Sequence, residues 1–381
     1  MYILSDYDIA GKGGILMAQK MTSYFEDFLK EIRLTSNQVN ELQQAHTTLR
    51  SRLVADEELS KYMETTFLQG SYKRSTAVRP KNGNRSDVDI VVVTKFDKDE
   101  YSPDEVLDVF EPFLEKYYAG KYRKQGRSWG IEMSHVDLDL VPTASVSLAE
   151  TGLLENKMIS SNDDIYTLYE SKIENINGYS WNCHFDNFFE AAEDAEWRNE
   201  PLYIPDREAM IWDKTHPLEQ IRWTQEKNKN CNGHYINVVK CIKWWRKEKY
   251  PDVKHPKSYP LEHFIGDCCP DGIQSVAEGI TLALEKIVTD YPTKPYLADR
   301  GVPEHDVFAR LSDSDYQLFY EAVCGAAVIA RNAFDADSVQ ESAKFWRKLF
   351  GNKFPEPPQP KDTIFTERKG DSRDIPGGRF A

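Results

Sequence analysis

Residues 87–93 read Asp-Val-Asp-Ile-Val-Val-Val, which places two acidic residues at the start of an apolar run. Alternate side chains of a β-strand lie on one face, so a strand over about 87–94 would point both carboxylates at one spot. A second apolar run, over about 135–141, contains Asp137 and Asp139 with the same spacing. Pairing of the two strands would gather three or four acidic side chains.

Such a group of carboxylates predicts bound divalent cations. Two like charges about 4 Å apart repel by roughly 4 kcal/mol at an effective dielectric constant near 20, and a cation removes this cost. The ligands are hard oxygens without a nearby Cys or His, which favours Mg²⁺ over Zn²⁺, with Mn²⁺ as the alternative. A phosphatase or a nuclease could use the same ligands, so the carboxylates alone do not decide the reaction.

Gly70 and Ser71 lie upstream and add an element that can bind phosphate. Glycine lets the backbone approach a ligand closely, and residues 72–77 are expected to open a helix whose free N–H groups face phosphate oxygens. An anion-binding turn just before metal ligands indicates nucleotidyl transfer. Three nearby residues are candidate contacts for the acceptor substrate, with a plain surface position as the alternative for each: Arg74, Thr76 and Arg79.

The order Gly-Ser, Asp-x-Asp and a third Asp on a later strand resembles the signature of the nucleotidyltransferase superfamily. The resemblance implies that Gly70 and Ser71 bind the nucleotide. It also implies catalytic acids that bind two Mg²⁺ ions, namely Asp87, Asp89 and Asp139. A ribose hydroxyl would attack the α-phosphate of a nucleoside triphosphate, with Asp139 nearest the hydroxyl. Asp137 matches no position of the signature, and we expect it beside the site or at the surface.

Two features further along resemble the second lobe of the branch that contains oligoadenylate synthase and cyclic-GMP-AMP synthase. They are a lysine, Lys243, followed by two tryptophans, and a Ser-Tyr pair at Ser258 and Tyr259. By this resemblance, Lys243 and Ser258 would hold the β and γ phosphates of the donor, and Tyr259 would stack on a nucleobase. An ordinary solvated face is the alternative for the stripe formed by Lys240, Lys243 and Lys247. Within the branch, the compact and acidic chain most resembles the bacterial cyclic-oligonucleotide synthases of antiphage signalling.

The amino-acid composition of the chain limits the kinds of binding partner that we expect. The chain has 381 residues, with 48 basic and 62 acidic side chains and a net charge of −14, so we expect no stable complex with nucleic acid. No stretch approaches the ~20 apolar residues of a membrane span and no secretion signal is present, which predicts a cytoplasmic protein without a membrane partner. The six cysteines form no Cys-x-x-Cys pair and are expected to be reduced. Core packing is favoured over a zinc site at His263 and Cys268-Cys269.

These patterns and the resemblance predict an α+β protein with a two-lobed nucleotidyltransferase fold. A small mixed β-sheet with flanking helices, polymerase β-like, would be followed by a C-terminal helical lobe. A capping box at 35–38 predicts a long helix that continues towards Leu59, and Ser102 is expected to cap another helix between the two strands. The β pattern fades from about residue 205. Further helices are expected near 217–228, 233–249, 258–268, 272–289, 313–334 and 338–350.

The predicted divisions are a flexible N-terminus at 1–16, a catalytic core lobe at 17–204, an oligoadenylate synthase-like helical lobe at 205–354 and a disordered tail at 355–381. Little regular structure is expected over 143–204, apart from an extra strand or two. The tail is rich in Pro and charge and lacks apolar periodicity. Its Gly377-Gly378 end suggests, through the family resemblance, a ubiquitin-transfer-like or other regulatory partner, with a plain tail as the alternative.

The predicted function is the Mg²⁺-dependent synthesis of a cyclic di- or trinucleotide second messenger in antiphage defence. ATP is the expected substrate, with GTP as a further one, and ring closure would benefit from the high effective molarity of a retained intermediate. One alternative is a nucleotidyltransferase that makes a linear oligonucleotide or modifies a small molecule or a protein. Another is a catalytically silent nucleotide sensor, against which the presence of all three acids argues.

Overall fold

The computed structural model describes residues 21–81, 83–144, 201–251 and 255–358. The segment 1–16, nearly all of the connection 143–204 and the Gly377-Gly378 end lie outside these ranges, as does the tail beyond residue 358. Within the described ranges, no helix has both the length and the apolar character that crossing a membrane requires.

The strands form a five-stranded mixed sheet and a separate hairpin. The sheet has the order β1-β2-β5-β4-β3, in which β2 and β5 run parallel and the other neighbours run antiparallel. The hairpin pairs β6 with β7. The strands are β1 (Met63–Gln69), β2 (Ser86–Thr94), β3 (Tyr122–Lys124), β4 (Trp129–Glu132), β5 (Val136–Pro142), β6 (Leu202–Asp206) and β7 (Ile211–Thr215).

Helices surround the sheet and make up most of the described chain after residue 216. They are α1 (Thr22–Ile32), α2 (Ser36–Ala55), α3 (Gly70–Lys73), α4 (Pro103–Val109), α5 (Glu111–Tyr118), α6 (Pro217–Asn230), α7 (Tyr235–Lys249), α8 (Ser258–Cys268), α9 (Val276–Asp290), α10 (Asp313–Phe334) and α11 (Val339–Phe350). This small mixed sheet, with flanking helices and a following helical part, is the fold class that the sequence predicts.

Local sequence signals account for the ends of several helices. The capping box predicted at 35–38 is confirmed, because the Thr35 hydroxyl accepts from the backbone N–H of Gln38 and the Gln38 side chain accepts from that of Thr35. Ser102 and Glu105 form a second capping box ahead of α4. Each pairing satisfies two N–H groups that a helix start leaves free. The helix predicted to continue towards Leu59 ends earlier, at Ala55.

Apolar residues cover both faces of the five-stranded sheet. On one face, Val88, Ile90, Leu138 and Leu140 are fully buried among side chains of α2, α4 and α5. On the other face, residues of β1 and β2 pack against β6 and α6; they are Phe67, Val91, Val93, Leu202, Leu218 and Ile221. Close packing on both faces gives the sheet a firm support for polar side chains at one end of its inner strands.

The helical part has its own core, and α1 belongs to it. Phe25 contacts Trp346 with ring centroids 5.1 Å apart, and Phe28 contacts Phe350 at 4.7 Å. Phe354, also fully buried, packs on both Phe25 and Phe28. The first described helix is therefore held by residues at the far end of the described chain, although α1 precedes the sheet in sequence.

The expectation that the β pattern ends near residue 205 was wrong, because β7 occupies Ile211–Thr215. This strand is half-buried or exposed along its length, and Ile211 itself is exposed. It therefore lacks the alternation of apolar and polar residues by which a half-buried strand is recognised in sequence. Its pairing with β6 is decided by backbone hydrogen bonds and not by a buried face.

Candidate active site

The four acidic residues of the two predicted strands lie on neighbouring parallel strands in matching register. Asp89 is paired with Asp139, and Asp87 with Asp137. Both strands alternate buried apolar residues with more exposed acids, so the apolar side chains face the core and the carboxylates face the opposite side. The predicted pairing is confirmed, and it brings the acids together at one end of the sheet.

The carboxylates affect one another electrostatically. Burial, together with the charges of Asp87 and Asp139, raises the pKa of Asp89 to about 7, although the Arg74 guanidinium opposes the shift. Burial and the charge of Asp87 raise the pKa of Asp139 to about 6. Burial is the larger cause of both raised pKa values, and the negative charge of the neighbouring carboxylates adds to it. These acids therefore repel one another at neutral pH.

The donor set fits a hard divalent cation. Its members are carboxylate oxygens that are crowded together and partly withdrawn from water, and a divalent ion would relieve their repulsion. As the side chains stand, however, no group of three or more His, Cys, Asp or Glu in the described ranges is arranged to hold a metal ion.

Asp137 forms a close ion pair with an arginine. Arg85 lies 2.6 Å from the Asp137 carboxylate through its Nε and 2.9 Å from Glu132 through its terminal nitrogen. About one third of the Asp137 side chain is exposed. The expectation that Asp137 lies beside the site or at the surface agrees with this ion pair.

Gly70 allows the phosphate-binding turn to approach the acids. It is the first residue of α3, its φ is +77°, and it follows directly on Gln69, which pairs with Asp89. A Cβ atom at this position would overlap Asp89 Oδ2 and lie 2.8 Å from Asp89 Cγ. The close packing of Gly70 on Asp89 thus requires both a left-handed backbone and the absence of a side chain.

We expect Gly70→Ala to lower kcat by about 100-fold, because the added methyl group must displace the Asp89 carboxylate, and a misplacement of about 1 Å costs on that order. The matched control is Gly83→Ala. Gly83 has a similar φ of +75°, but a Cβ atom there meets nothing within 4 Å. An alanine is strained in the left-handed backbone conformation at both positions. The difference in kcat between the two variants, measured by steady-state kinetics, therefore measures the effect of the overlap with Asp89 alone. Equal losses in the two variants would contradict the assignment.

Lys243, predicted to hold donor phosphates, has an ion-pair partner. Its Nζ lies 2.6 Å from Glu262 Oε1, and both side chains are about 95% buried. Glu262 also accepts from Arg74 Nε at 3.1 Å and from Thr76 Oγ1 at 2.8 Å. Burial works against its ionisation, yet the charges of Lys243 and Arg74 hold the pKa of Glu262 below its ordinary value. These four residues, the Glu262 cluster, join the helical part to the chain just after α3.

Sequence reasoning missed Glu262, and no local signal marks it. Its partners lie 19, 186 and 188 residues away along the chain. Of the three candidate acceptor contacts, Arg74 and Thr76 are buried within the Glu262 cluster. Arg79 donates to the carbonyl oxygens of Lys30 and Arg33 at the end of α1. A plain surface position is thus excluded for Arg74 and Thr76.

The lysine stripe of α7 is not an ordinary solvated face. Lys240 and Lys243 are each only 4% exposed. Burial and the charge of Lys243 lower the pKa of Lys247 to about 8, while Asp87 counteracts the shift. Since Lys247 interacts with Asp87 electrostatically, this end of α7 faces the acids of the sheet.

Ser258 and Tyr259 begin α8, as the sequence predicts. Ser258 is exposed and is the first residue of the helix, and the preceding Lys257 makes no side-chain capping bond, so N–H groups at this end are suited to an anion. The half-buried ring of Tyr259 is held by a 2.6 Å hydrogen bond from its hydroxyl to Asp299. The Arg74 guanidinium lies 5.1 Å from the ring centroid.

Cys268, Cys269 and His263 lie in the core, which is the packing role that the sequence favours for them. Five cysteines in the described ranges are free, and Cys268 and Cys269 are buried in the helical core. His263 is buried beside Tyr259, with ring centroids 5.9 Å apart. Burial and the charge of Arg300 lower the pKa of His263 to about 4.

Comparison with known proteins identifies relatives over nearly the whole chain. Residues 19–152 match the SMODS family, described as a Second Messenger Oligonucleotide or Dinucleotide Synthetase domain. The cyclic AMP-AMP-GMP synthase of Enterobacter hormaechei subsp. hoffmannii (strain UCI 50) is 45% identical over 375 residues, which are 94% of this chain and 98% of that protein. A probable cyclic AMP-AMP-GMP nucleotide synthase of Salmonella paratyphi B is also 45% identical, over 95% of this chain and 100% of that protein.

Solved structures share the fold at lower sequence identity. The structure of E. coli MS115-1 CdnC with ATP superposes with a TM-score of 0.60 and 16% identity, covering 87% of this chain and 98% of that chain. At this identity the likeness concerns the fold alone. It confirms the predicted α+β architecture with its sheet and helical part.

Proposed function

We propose a product for this chain, which belongs to the CD-NTase family of bacterial cyclic oligonucleotide synthases: a cyclic trinucleotide of two AMP units and one GMP unit. Two relatives named for this product are 45% identical to nearly the whole chain, which supports the proposal. The chemistry is carried by one observation, the in-register pairing of Asp89 with Asp139 beside Gly70. The product would act as a second messenger, and we propose antiphage signalling as its role.

In each step a ribose hydroxyl oxygen forms a bond to an α-phosphorus, and the bond from that phosphorus to the pyrophosphate oxygen breaks. Asp139 lies beside the attacking hydroxyl in this scheme and receives its proton. Two Mg²⁺ ions bound by Asp87, Asp89 and Asp139 would make the hydroxyl more acidic and neutralise the charge of the leaving group. Gly70 and Ser71 hold the phosphates from the turn that packs on Asp89.

The helical part positions the triphosphate in this scheme. Ser258 offers its hydroxyl and the free N–H groups at the start of α8 to the β and γ phosphates. Lys243 exchanges the Glu262 carboxylate for a phosphate oxygen when the donor binds, because both are anionic acceptors for the same ammonium group. Tyr259, whose ring orientation is fixed by Asp299, stacks on a nucleobase.

The ring closes when the last free hydroxyl attacks the triphosphate at the other end of the retained linear intermediate. Holding both ends in one site gives this intramolecular attack a high effective molarity. The selection of bases rests on hydrogen bonds to base edges, since a site built to bond a polar group rejects an analogue that lacks it.

The experiment is product analysis with purified protein, Mg²⁺, ATP and GTP. We expect a cyclic product with two AMP units and one GMP unit by mass spectrometry, and one pyrophosphate released for each bond formed. Omission of GTP is the control and should abolish this product. Only linear oligonucleotides, or nucleotide attached to another molecule, would refute the proposal and favour the alternative nucleotidyltransferase activities.

A further inference from the structure

The turn between β3 and β4 orients the side chain of Gln125. The backbone N–H of Gln125 donates to the carbonyl oxygen of Ser128 at 3.0 Å, which closes the turn. In return, the Ser128 hydroxyl donates to Gln125 Oε1 at 2.6 Å, and Ser128 is buried. Because Oε1 is engaged by Ser128, the Nε2 end of the amide, which carries two N–H donors, points away from the turn.

Gly130 provides the space for this amide. It pairs with Asp139 in the antiparallel ladder of β4 and β5, and residues directly opposite in such a ladder have their side chains on the same face. A Cβ atom at Gly130 would overlap Gln125 Nε2 and lie 3.2 Å from Gln125 Cδ. The amide nitrogen therefore occupies the place of the missing side chain, next to the Asp139 carboxylate.

An amide donor at this place acts on Asp139. Burial and the charge of Asp87 raise the pKa of Asp139, whereas a hydrogen bond from the Gln125 side chain and the charge of Arg123 oppose that rise. Arg123 lies on the same side, with its Nε 3.3 Å from the Cβ position of Gly130. The contact thus favours one orientation of the ionised Asp139 carboxylate, which the charge of Asp87 repels.

We propose that Gln125 is a positioning residue for Asp139, with its amide oriented by Ser128 and admitted by the missing side chain of Gly130. The inference rests on the proposed function, in which Asp139 binds a divalent ion and lies beside the attacking hydroxyl. Gln125 acts through Asp139. It would hold the carboxylate in the orientation in which Asp139 can bind a divalent ion.

The test is a double-mutant cycle with Gln125→Ala and Gly130→Ala. We expect each single variant to weaken Mn²⁺ binding about tenfold, the usual cost of removing a group that orients a metal ligand. Isothermal titration with a non-hydrolysable ATP analogue measures this without turnover. We expect the double variant to bind Mn²⁺ like Gln125→Ala alone. The two atoms nearest to a Cβ at residue 130 belong to Gln125 and are then absent, and the third, Arg123 Nε, belongs to a flexible side chain.

Turnover provides a second readout. In both single variants kcat should fall about tenfold while the KM for ATP stays within about twofold, because the contact orients an acid and does not bind the nucleotide. Gln125→Glu keeps the length and the acceptor for Ser128 but places a negative oxygen beside Asp139, so its loss should exceed that of Gln125→Ala. Lys124→Ala is the matched control on β3, since Lys124 is half-exposed and pairs with Asp108 and Glu111.

Additive effects of the two alanine variants, or unchanged Mn²⁺ affinity in Gln125→Ala, would overturn the inference. Circular dichroism of each variant identifies a folding defect. Such a defect is less expected for Gln125→Ala, because Gln125 is partly exposed whereas Gly130 is buried. The Mn²⁺ titration does not depend on which product forms. Failure of the positioning role is therefore distinguishable from failure of the product assignment.

Discussion

Replacing Asp89 by Asn should lower kcat by about 10³-fold or more while leaving the fold intact. The amide has nearly the shape of the carboxylate but carries no charge, so it cannot bind a divalent ion as a carboxylate does. The loss of about 4 kcal/mol of charge stabilisation in the transition state corresponds to this factor. Pyrophosphate release under saturating ATP, GTP and Mg²⁺ measures it.

Asp137→Asn is the matched control for this prediction. Asp137 lies on the same face of the sheet, two residues before Asp139, but it is paired with Arg85. Since that carboxylate is already neutralised by a guanidinium, its removal should change kcat by no more than about threefold, in line with the small energies of partly exposed ion pairs. If Asp137→Asn lowers kcat as much as Asp89→Asn does, the assignment of the metal ligands is wrong.

Stability should move in the opposite direction to activity in Asp89→Asn. The pKa of Asp89 rises from an ordinary 3.8 to about 7 in the folded protein, so the folded state binds more protons than the unfolded state between these values. The free energy of unfolding of the metal-free protein therefore decreases as the pH rises from about 4 to 7. Asn at residue 89 does not titrate, so the variant lacks this decrease in the free energy of unfolding. It should unfold at a higher temperature than the wild type at pH 8, and the difference in unfolding temperature should be smaller at pH 5.

The second large effect concerns stability and is expected for Glu262→Leu. The substitution leaves Arg74 and Lys243 buried without their shared carboxylate, and breaking a buried ion pair on one side costs about 3–5 kcal/mol. It also removes the acceptor of the Thr76 hydroxyl. Urea unfolding measured by intrinsic fluorescence gives the free energy of unfolding. Glu262→Gln, which keeps the size and one acceptor, should lose less.

Glu285→Leu is the control for this measurement. Glu285 binds Arg331 through two contacts of 2.6 Å, but about one third of each side chain is exposed to water. Solvent screening limits such a pair to about 1 kcal/mol. If Glu285→Leu lowers the free energy of unfolding as much as Glu262→Leu does, burial does not explain the contribution of the Glu262 cluster to stability.

Much of the fold could be predicted because its signals are local. The capping boxes at Thr35 and Ser102 depend on residues three positions apart. The acids at 87 and 89 share a face because strands have a period of two. The hairpin strand β7 was missed because it lacks such a local signal. A strand that buries little shows no alternation of apolar and polar residues.

By itself, the sequence determined which residue types stand at which spacing: a Gly-Ser turn, two acids on one strand face, a third on a later strand, and the helix that starts at Ser258. Only the tertiary structure decided which of these residues contact one another. It set Asp89 opposite Asp139, gave Lys243 the buried partner Glu262, and placed the Gln125 amide over Gly130. Local conformation follows from neighbours in the chain, whereas these contacts join residues whose proximity depends on how the whole chain packs.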